Sequence, residues 1–100
     1  MSGQMTETEF DKLATRTLDQ LDHAVRDAVD AELANGILTL EFEDGTKFII
    51  NSHAAARQIW MAAQLSAMHF SWNGEKWIDS KTGKELFAEV GRVVAEKLAE

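Results

Sequence analysis

The sequence predicts an α+β fold, a two-layer sandwich in which an N-terminal and a C-terminal helix pack on one face of an antiparallel sheet of about six strands. Three observations support this prediction. Apolar residues recur at three- and four-residue steps near both ends of the chain, which is the period of a helix. Between these ends apolar and polar residues alternate, as they do in half-buried strands. Asparagine–glycine and aspartate–glycine turn signals divide the alternating segments, and strands joined by such tight turns run antiparallel.

The first helix is predicted to run from residue 6 or 7 to about Asp30. Thr6 and Glu9 have the spacing of a capping box, in which each side chain bonds the backbone of the other residue. The apolar side of this helix, which should face the sheet, carries Phe10, Leu13, Ala14, Thr17, Leu18, Leu21, Ala24, Val25 and Ala28. The opposite side should face solvent and carries Asp19, Asp22, His23, Arg26, Asp27 and Asp30.

The strands are predicted from the alternating segments and the turns between them. Residues 37–43 follow the first asparagine–glycine turn and form the outgoing arm of a hairpin. The later strands are expected at residues 46–51, 58–62, 68–72 and 75–79. Residues 52–56 are expected to be a connection, which places His53 on a loop, and we assign that histidine no role.

A closing helix is predicted near the end of the chain. Thr82 and Glu85 have the spacing of a second capping box. The apolar residues of this helix are Leu86, Phe87, Val90, Val93, Val94 and Leu98. Residues 1–5 are expected to be a disordered leader, and residues 6–100 a single domain.

The distribution of charge restricts the function. The net charge is −7, and residues 1–44 hold eleven acidic side chains against three basic ones. Nucleic-acid binders are basic, so no nucleic-acid partner is expected, whereas cations and basic protein surfaces would be attracted. The absence of cysteine excludes disulfides and thiolate metal sites. The chain has no apolar run that could span a membrane and no signal-peptide pattern, so we expect a cytoplasmic protein.

The sequence does not contain a recognisable catalytic motif. No glycine-rich loop precedes a helix, and the serines lack a paired histidine and acid at motif spacing. The three histidines are scattered and match no zinc spacing. We therefore expect that the protein is not an enzyme.

Acidic side chains concentrate on the first helix and the first hairpin. We refer to this set as the acidic ridge; it comprises Asp19, Asp22, Asp27, Asp30, Glu32, Glu41, Glu43 and Asp44. His23 lies one helical turn from two of these carboxylates and is a further candidate metal ligand. Carboxylate oxygens suit hard cations such as Fe(III), Mn and Mg, with Fe(II) held more loosely. From charge pattern alone, a solvated helix face is the commoner explanation, and His23 is equally well an exposed histidine.

A tryptophan is expected on the face of the sheet that the helices leave open. Strand alternation puts Trp60 on the same face as Gln58 and opposite Ile59. An exposed tryptophan on a flat sheet face is a typical interface anchor. Asn51 and His69 should lie on the same face and complete a candidate partner-binding surface. The alternative is a tryptophan packed under a neighbouring loop.

A series of segments carries a family resemblance. These segments are Asn35-Gly36-Ile37-Leu38-Thr39-Leu40, Phe42-Glu43-Asp44-Gly45, Ile49-Ile50-Asn51, Gln58-Ile59-Trp60-Met61-Ala62, Phe70-Ser71-Trp72, Trp77-Ile78 and Thr82-Gly83. Their order and spacing over residues 6–99 resemble the bacterial branch of the frataxin family. The most specific part is Asn51 with Gln58 and Trp60, followed by a hairpin with two tryptophans. The resemblance implies the frataxin-like fold, which is the one predicted above.

The resemblance also implies a function. Frataxins bind Fe(II) or Fe(III) weakly through an acidic ridge, where other divalent or trivalent cations can substitute. They contact the cysteine desulfurase and the scaffold protein that build iron–sulfur clusters. In bacteria they modulate the desulfurase, with iron donation as a further role. The family's partner-binding surface corresponds to Asn51, Gln58 and Trp60. Arg26, in the middle of the ridge, departs from the most acidic members and implies fewer or weaker iron sites.

Two other interpretations stay open from the sequence. An acidic adaptor or inhibitor without a physiological metal would use the same surfaces on a basic partner. An iron-oxidising enzyme or iron store would require catalysed Fe(II) turnover or metal-driven assembly, and iron oxidation is not expected to be the main role. We expect a monomer, with metal-driven oligomers as the alternative.

Overall fold

The computed structural model of the protein describes residues 5–64 and 66–100. The predicted disordered leader therefore lies outside the described residues except for Met5. This residue is half-buried and packs against the core, and its carbonyl oxygen accepts a hydrogen bond from Arg57 Nε at 3.3 Å. In the part of the chain that the structure describes, no helix is long and apolar enough to cross a membrane.

The architecture is two helices on a six-stranded sheet, as predicted. The strands follow one another in sequence order across the sheet, and every neighbouring pair is antiparallel. The elements are α1 (Glu7–Val25), β1 (Asp30–Ala34), β2 (Ile37–Glu41), β3 (Lys47–His53), a short 3₁₀ helix (Ala54–Ala56), β4 (Gln58–Ala63), β5 (Ser66–Trp72), β6 (Trp77–Asp79) and α2 (Leu86–Leu98). Because all strand connections are short, the sheet is a simple meander.

The core lies between the helices and the inner face of the sheet. Alternate residues of the strands point inward, and their burial follows the predicted period of two. The largest fully buried side chains are Trp77, Phe10, Phe48, Phe70, Leu18, Leu21, Leu38, Leu40, Ile50, Ile59, Met61 and Leu86. A buried hydrogen bond from Trp77 Nε1 to Thr17 Oγ1, 3.0 Å long, fixes α1 against the β5–β6 hairpin.

The first helix ends five residues earlier than predicted. It stops at Val25, whose carbonyl accepts hydrogen bonds from the next turn, and Asp30 begins β1. The hairpin explains this difference, because the turn at Asn35 and Gly36, both at positive φ, pairs residues 30–34 with β2. The prediction that put Asp27 and Asp30 on the helix is therefore wrong.

The second helix has a different cap from the one predicted. Glu85 is itself the N-cap, and its carboxylate accepts hydrogen bonds from the backbone N–H groups of Phe87 and Ala88 at 2.9 and 3.0 Å. Thr82 instead stabilises the preceding turn by donating to Asp79 Oδ2 at 3.2 Å. The helix consequently starts at residue 86, and Phe87 is 37% exposed rather than in the core.

Candidate functional site

Part of the acidic ridge lines an open groove. The groove has a volume of about 540 Å³ and lies where the end of α1, the β1–β2 edge and the end of α2 meet. Five of the ridge carboxylates line it: Asp27, Asp30, Glu41, Glu43 and Asp44. Glu100 adds a sixth carboxylate from the C-terminal end. The fold thus brings together acids from three separate segments of the chain: residues 27–30, residues 41–44 and the C-terminal Glu100.

Two like charges lie opposite each other at the open end of the first hairpin. Asp30 and Glu41 are direct partners across β1 and β2, and both are exposed. Side chains at such positions have Cβ atoms about 5 Å apart, so the two carboxylates repel each other when no cation lies between them. Lys47 faces Glu41 from the other neighbouring strand and offsets part of this repulsion. Of the positions that the strand register pairs, this one most resembles a cation site with two carboxylate ligands.

Asp44 is held by a lysine of the closing helix. Lys97 Nζ donates to Asp44 Oδ2 at 2.6 Å and to Glu100 Oε1 at 2.9 Å, and the lysine side chain is only 6% exposed. The hydrogen bond from Lys97, followed by the one from the Thr46 backbone, holds the pKa of Asp44 well below its usual range. The same bond raises the pKa of Lys97. This ammonium group already supplies positive charge to the ridge.

Asp22 is not on the exposed side of α1, contrary to the prediction. It is 5% exposed, and its Oδ2 accepts a hydrogen bond from Arg26 at 2.6 Å. Its other oxygen has no hydrogen-bond partner within the described residues. The reason is its position on the edge of the apolar stripe, one turn from both Leu18 and Val25, which are buried.

Asp19 and His23 are exposed on α1, as predicted, with Asp19 Oδ2 and His23 Nε2 3.7 Å apart. Glu32 is exposed on β1 opposite Thr39 and does not line the groove. Across residues 5–64 and 66–100, no three His, Asp or Glu side chains converge closely enough to hold a metal ion. The ridge therefore offers separate positions with one or two carboxylates, which suits weak binding of hard cations that keep most of their water.

Trp60 lies on the predicted open face but is only half-exposed. Its indole ring is stacked between two histidine rings, with centroids 3.9 Å from His53 and 4.1 Å from His69. Trp60 Nε1 donates to Gln58 Oε1 at 2.8 Å, and Gln58 Nε2 donates to Ser71 Oγ at 3.1 Å. The two histidines come from the neighbouring strands, so the covering groups belong to the sheet and not to a loop.

His53 is the residue that sequence reasoning missed. It is the last residue of β3 and not part of a loop, and its Nδ1 accepts a hydrogen bond from the Ala56 N–H at 3.3 Å. Its spacing from Asn51 could have revealed its position. His53 lies two residues after Asn51 and therefore on the same face of the sheet as Trp60. The loop assignment concealed this relationship.

The predicted partner-binding residues are neighbours on the outer face. Asn51 pairs with Trp60 across β3 and β4, and Trp60 pairs with His69 across β4 and β5. Ile37 and Ile49 extend the same face and are 44% and 40% exposed. We refer to the set Ile37, Ile49, Asn51, His53, Gln58, Trp60 and His69 as the outer patch. Its mixture of exposed aliphatic groups and imidazole edges is typical of a protein-binding surface.

Comparison with known proteins places this geometry in a family. The protein-family model described as the frataxin-like domain matches residues 3–100 of this chain. The iron-sulfur cluster assembly protein CyaY of Cupriavidus taiwanensis is 42% identical over 100 aligned residues, which cover 93% of this chain and 90% of that protein. The frataxin of Psychromonas ingrahamii has a TM-score of 0.88 at 30% identity, covering 96% of this chain and 94% of its own. A trimeric frataxin of the yeast Saccharomyces cerevisiae, complexed with ferrous iron, has a TM-score of 0.62 at 27% identity, covering 95% and 91%.

These matches extend over nearly the whole chain, as the resemblance predicted from residues 6–99 did. The solved frataxins share the arrangement of two helices on an antiparallel sheet, so both the family and the fold class expected from the sequence are confirmed. The family model, the sequence relatives and the solved structures agree, and the chain belongs to the frataxin family.

Proposed function

We propose that this protein regulates iron–sulfur cluster assembly in the bacterial cytoplasm and is not an enzyme in its own right. It binds iron weakly on the acidic ridge and docks on the complex of cysteine desulfurase and scaffold protein. The observation that carries the proposal is membership of a family whose sequence relatives are named iron-sulfur cluster assembly proteins. The charge of −7, concentrated in the first half of the chain, supports both a cation and a basic partner.

The iron would be a cargo or a signal held by oxygen ligands. The Asp30–Glu41 pair is the favoured position, because a cation placed between these two carboxylates would remove their mutual repulsion. Asp27 and Glu43 line the same groove and can add ligands or a charged outer ring. Asp44 contributes less, because its carboxylate is already hydrogen-bonded to Lys97. Fe(III) should bind more tightly than Fe(II), since carboxylate oxygens prefer the harder ion.

The docking of partners would use two surfaces. The acidic ridge attracts basic patches on the desulfurase and accelerates the encounter. The outer patch supplies the short-range contact, with Ile37 and Ile49 as exposed aliphatic groups beside the Trp60 stack. The stack holds the Trp60 ring rigidly, so little side-chain entropy is lost when a partner binds. Iron donation to the scaffold would be a consequence of this joint docking.

An anaerobic titration of ¹⁵N-labelled protein with Fe(II), followed by NMR, tests the metal part of this proposal. Fe(II) is paramagnetic and broadens the amide signals near its site. We expect broadening centred on residues 27–30 and 41–43, weaker at Asp44, and absent from the outer patch. The diamagnetic Mg²⁺ at the same concentration serves as the control for ionic strength. Unbroadened groove signals at millimolar Fe(II) would contradict the metal assignment.

A metal-free acidic adaptor is the second candidate. It is favoured by the lack, within the described residues, of three converging metal-ligating side chains. Binding of the protein to a purified desulfurase, measured with Fe(II) and with a chelator, distinguishes the two. A regulator that senses iron changes its affinity or its effect on desulfurase turnover when iron is added. An adaptor gives the same affinity and the same effect in both conditions.

A further inference from the structure

Two of the three asparagines in the chain precede a glycine, Asn35 before Gly36 and Asn73 before Gly74. Neither pair belongs to the acidic ridge or to the outer patch. An asparagine in this position can lose ammonia, because the glycine nitrogen can reach the carboxamide carbon and no side chain on the glycine shields that nitrogen. The peptide between the two residues must rotate for the reaction to occur. The structure around each turn therefore decides whether its asparagine reacts.

The turn at Asn35 and Gly36 is held on both sides. It connects β1 with β2, and the flanking residues Ala34 and Ile37 pair with each other across the two strands. The Gly36 carbonyl oxygen accepts a hydrogen bond from the Ser52 N–H at 3.0 Å, which ties the turn to β3. A Cβ atom on Gly36 would lie 2.8 Å from Ser52 Oγ, so the backbone is closely packed here. Rotation of this peptide would disturb both the hydrogen bond and the packing.

The turn at Asn73 and Gly74 is less constrained. It belongs to the exposed connection between β5 and β6, which a hydrogen bond of 3.0 Å from the Asn73 N–H to the Lys76 carbonyl oxygen closes. Gly74 has a φ of 104°, and a Cβ atom on it would meet no atom within 4 Å. Within residues 5–64 and 66–100, neither the Asn73 carbonyl nor the Gly74 N–H forms a backbone hydrogen bond. The peptide between them can therefore rotate without breaking one.

The carboxamide of Asn73 is also polarised by two donors. Its Oδ1 atom accepts hydrogen bonds from the backbone N–H groups of Glu75 and Lys76, both at 2.8 Å. When a nucleophile attacks the Cγ atom of a carboxamide, negative charge develops on the carboxamide oxygen. Two N–H groups directed at that oxygen stabilise the charge in the same way as an oxyanion hole. The turn thus combines a mobile attacking group with an activated carbon.

We propose that Asn73 is a site of spontaneous deamidation in the folded protein, activated by these two N–H groups, and that Asn35 is protected. The Gly74 nitrogen loses its proton to water and attacks Cγ of Asn73. The new C–N bond closes a succinimide ring, and the bond from Cγ to Nδ2 breaks as ammonia takes up a proton and leaves. Water then opens the ring at either carbonyl, which gives aspartate or isoaspartate.

The two products differ in their effect on the turn. Each adds one negative charge to the protein. An aspartate at position 73 keeps both N–H donors, now in stronger charge-assisted hydrogen bonds. An isoaspartate carries an additional methylene group in the main chain, so it alters the connection that aligns Trp72 with Trp77.

The test is to incubate the folded protein at pH 8 and 37 °C and to follow deamidation by mass spectrometry of tryptic peptides. Cleavage after lysine and arginine puts each asparagine in a separate peptide, residues 27–47, 48–57 and 58–76. We expect Asn73 to react at least about tenfold faster than Asn35, the factor that one lost backbone hydrogen bond can cause in a rate. In the urea-unfolded chain the two rates should be similar. Isoaspartate would identify the succinimide route, since direct hydrolysis gives only aspartate.

Matched variants test the attacking group and the donors. Gly74→Ala should slow the reaction of Asn73 severalfold, because the added methyl group hinders attack by the nitrogen. Gly83→Ala is the control, since Gly83 also has a positive φ, of 76°, and open space around it but does not follow an asparagine. Glu75→Pro removes one of the two N–H donors and should slow the reaction as well.

Three results would overturn the proposal. Equal rates at Asn35 and Asn73 in the folded protein would show that the structure of the turns does not select the site. Reaction of Asn73 only in urea would show that the folded turn protects it. Faster reaction in Glu75→Pro would mean that the hydrogen bonds to Oδ1 restrain the carboxamide and do not activate it. Because the rates are measured without metal or desulfurase, failure here leaves the proposed function untouched.

Discussion

At the scale of single residues, the Lys97 ammonium shows how the fold decides which ridge carboxylates are free. The side chain reaches from the last turn of α2 to Asp44 in the β2–β3 turn, two segments far apart in the sequence. Spacing along the chain cannot reveal such a contact, so the sequence predicted Asp44 only as one exposed acid among eight. The contact ties the end of α2 to the ridge, and its strength depends on pH.

The pH dependence of stability should report the Lys97–Asp44 ion pair. Asp44 has a folded-state pKa below its unfolded value of about 4, so its contribution to stability is present above that pH and is lost as pH falls below it. We expect Lys97→Met to lower the free energy of unfolding at pH 6, with the difference from the wild type shrinking toward pH 2. Urea unfolding at several pH values measures this.

The control for the ion pair is Lys81→Met, which removes the same charge at an exposed loop position and should change little at any pH. A deficit in Lys97→Met that stays constant from pH 6 to pH 2 would show that lost packing of the lysine stem, and not the ion pair, causes the destabilisation.

The Trp60 stack leads to a second prediction at the residue scale. Removing one stacked ring by His53→Ala should cost roughly 0.5–1.5 kcal/mol of unfolding free energy, the range for an aromatic pair. His23→Ala, an exposed histidine of α1 with no ring neighbour among the described residues, should cost less than about 0.5 kcal/mol. Equal effects of the two substitutions in urea unfolding would mean that the stack contributes nothing to stability.

The same stack revises what the sequence predicted for Trp60. An exposed tryptophan could be replaced with little loss of stability, but both faces of this ring are covered by neighbouring strands. Alternation along β4 correctly identified the face of Trp60. Alternation also placed His69 on that face, but it did not identify the stack, because His53 was assigned to a loop when β3 was predicted two residues too short.

At the scale of elements, the pattern predicted helices and strands reliably and their ends less well. The 3.6-residue period of α1 continues through Ala28, yet the helix stops at Val25 because the β1–β2 register requires residues 30–34. Tertiary pairing here overrides local periodicity. The caps show the same limit, since Thr6 forms the predicted capping box but Thr82 does not.

The β1–β2 hairpin allows a direct test of the proposed cation position. Asp30→Asn removes one of two facing carboxylates, so we expect the iron-free protein to gain about 0.2–1 kcal/mol of unfolding free energy and to bind Fe(II) more weakly. Glu32→Gln is the matched control on the same strand, because it faces Thr39 and removes no repulsion. If both variants behave alike in urea unfolding and in the Fe(II) titration, the Asp30–Glu41 pair is not the site.

At the scale of the whole molecule, the shape is elongated and the acidic side chains are concentrated in one region. The described chain measures 47 × 27 × 19 Å, with the acidic groove where the end of α1 meets the end of α2. The sequence predicted the excess of acid in residues 1–44 and the two-layer fold. It could not predict that the ridge would be divided, with Asp22 buried and Asp44 paired, because burial and long-range pairing depend on where α1 stops and α2 ends.

Docking on a basic partner should therefore depend on the ridge as a unit and on salt. Reversing two groove charges with Asp27→Lys and Glu43→Lys should weaken binding to the cysteine desulfurase by about tenfold or more at low salt, mainly through slower association. The deficit should shrink as added salt screens exposed charges, since the Debye length falls from about 10 Å at 0.1 M to about 3 Å at 1 M. Surface plasmon resonance at several salt concentrations separates the two rates.

The control for docking must change net charge equally without touching the groove. Asp11→Lys with Glu7→Lys does so at exposed positions in the first turns of α1. Long-range steering by net charge alone would slow association in both double variants, whereas a local contact slows it only in the groove variant. Because the outer patch is intact in both, the groove variant should keep residual binding at high salt. Complete loss of binding at every salt concentration would instead place the groove carboxylates in the short-range contact itself.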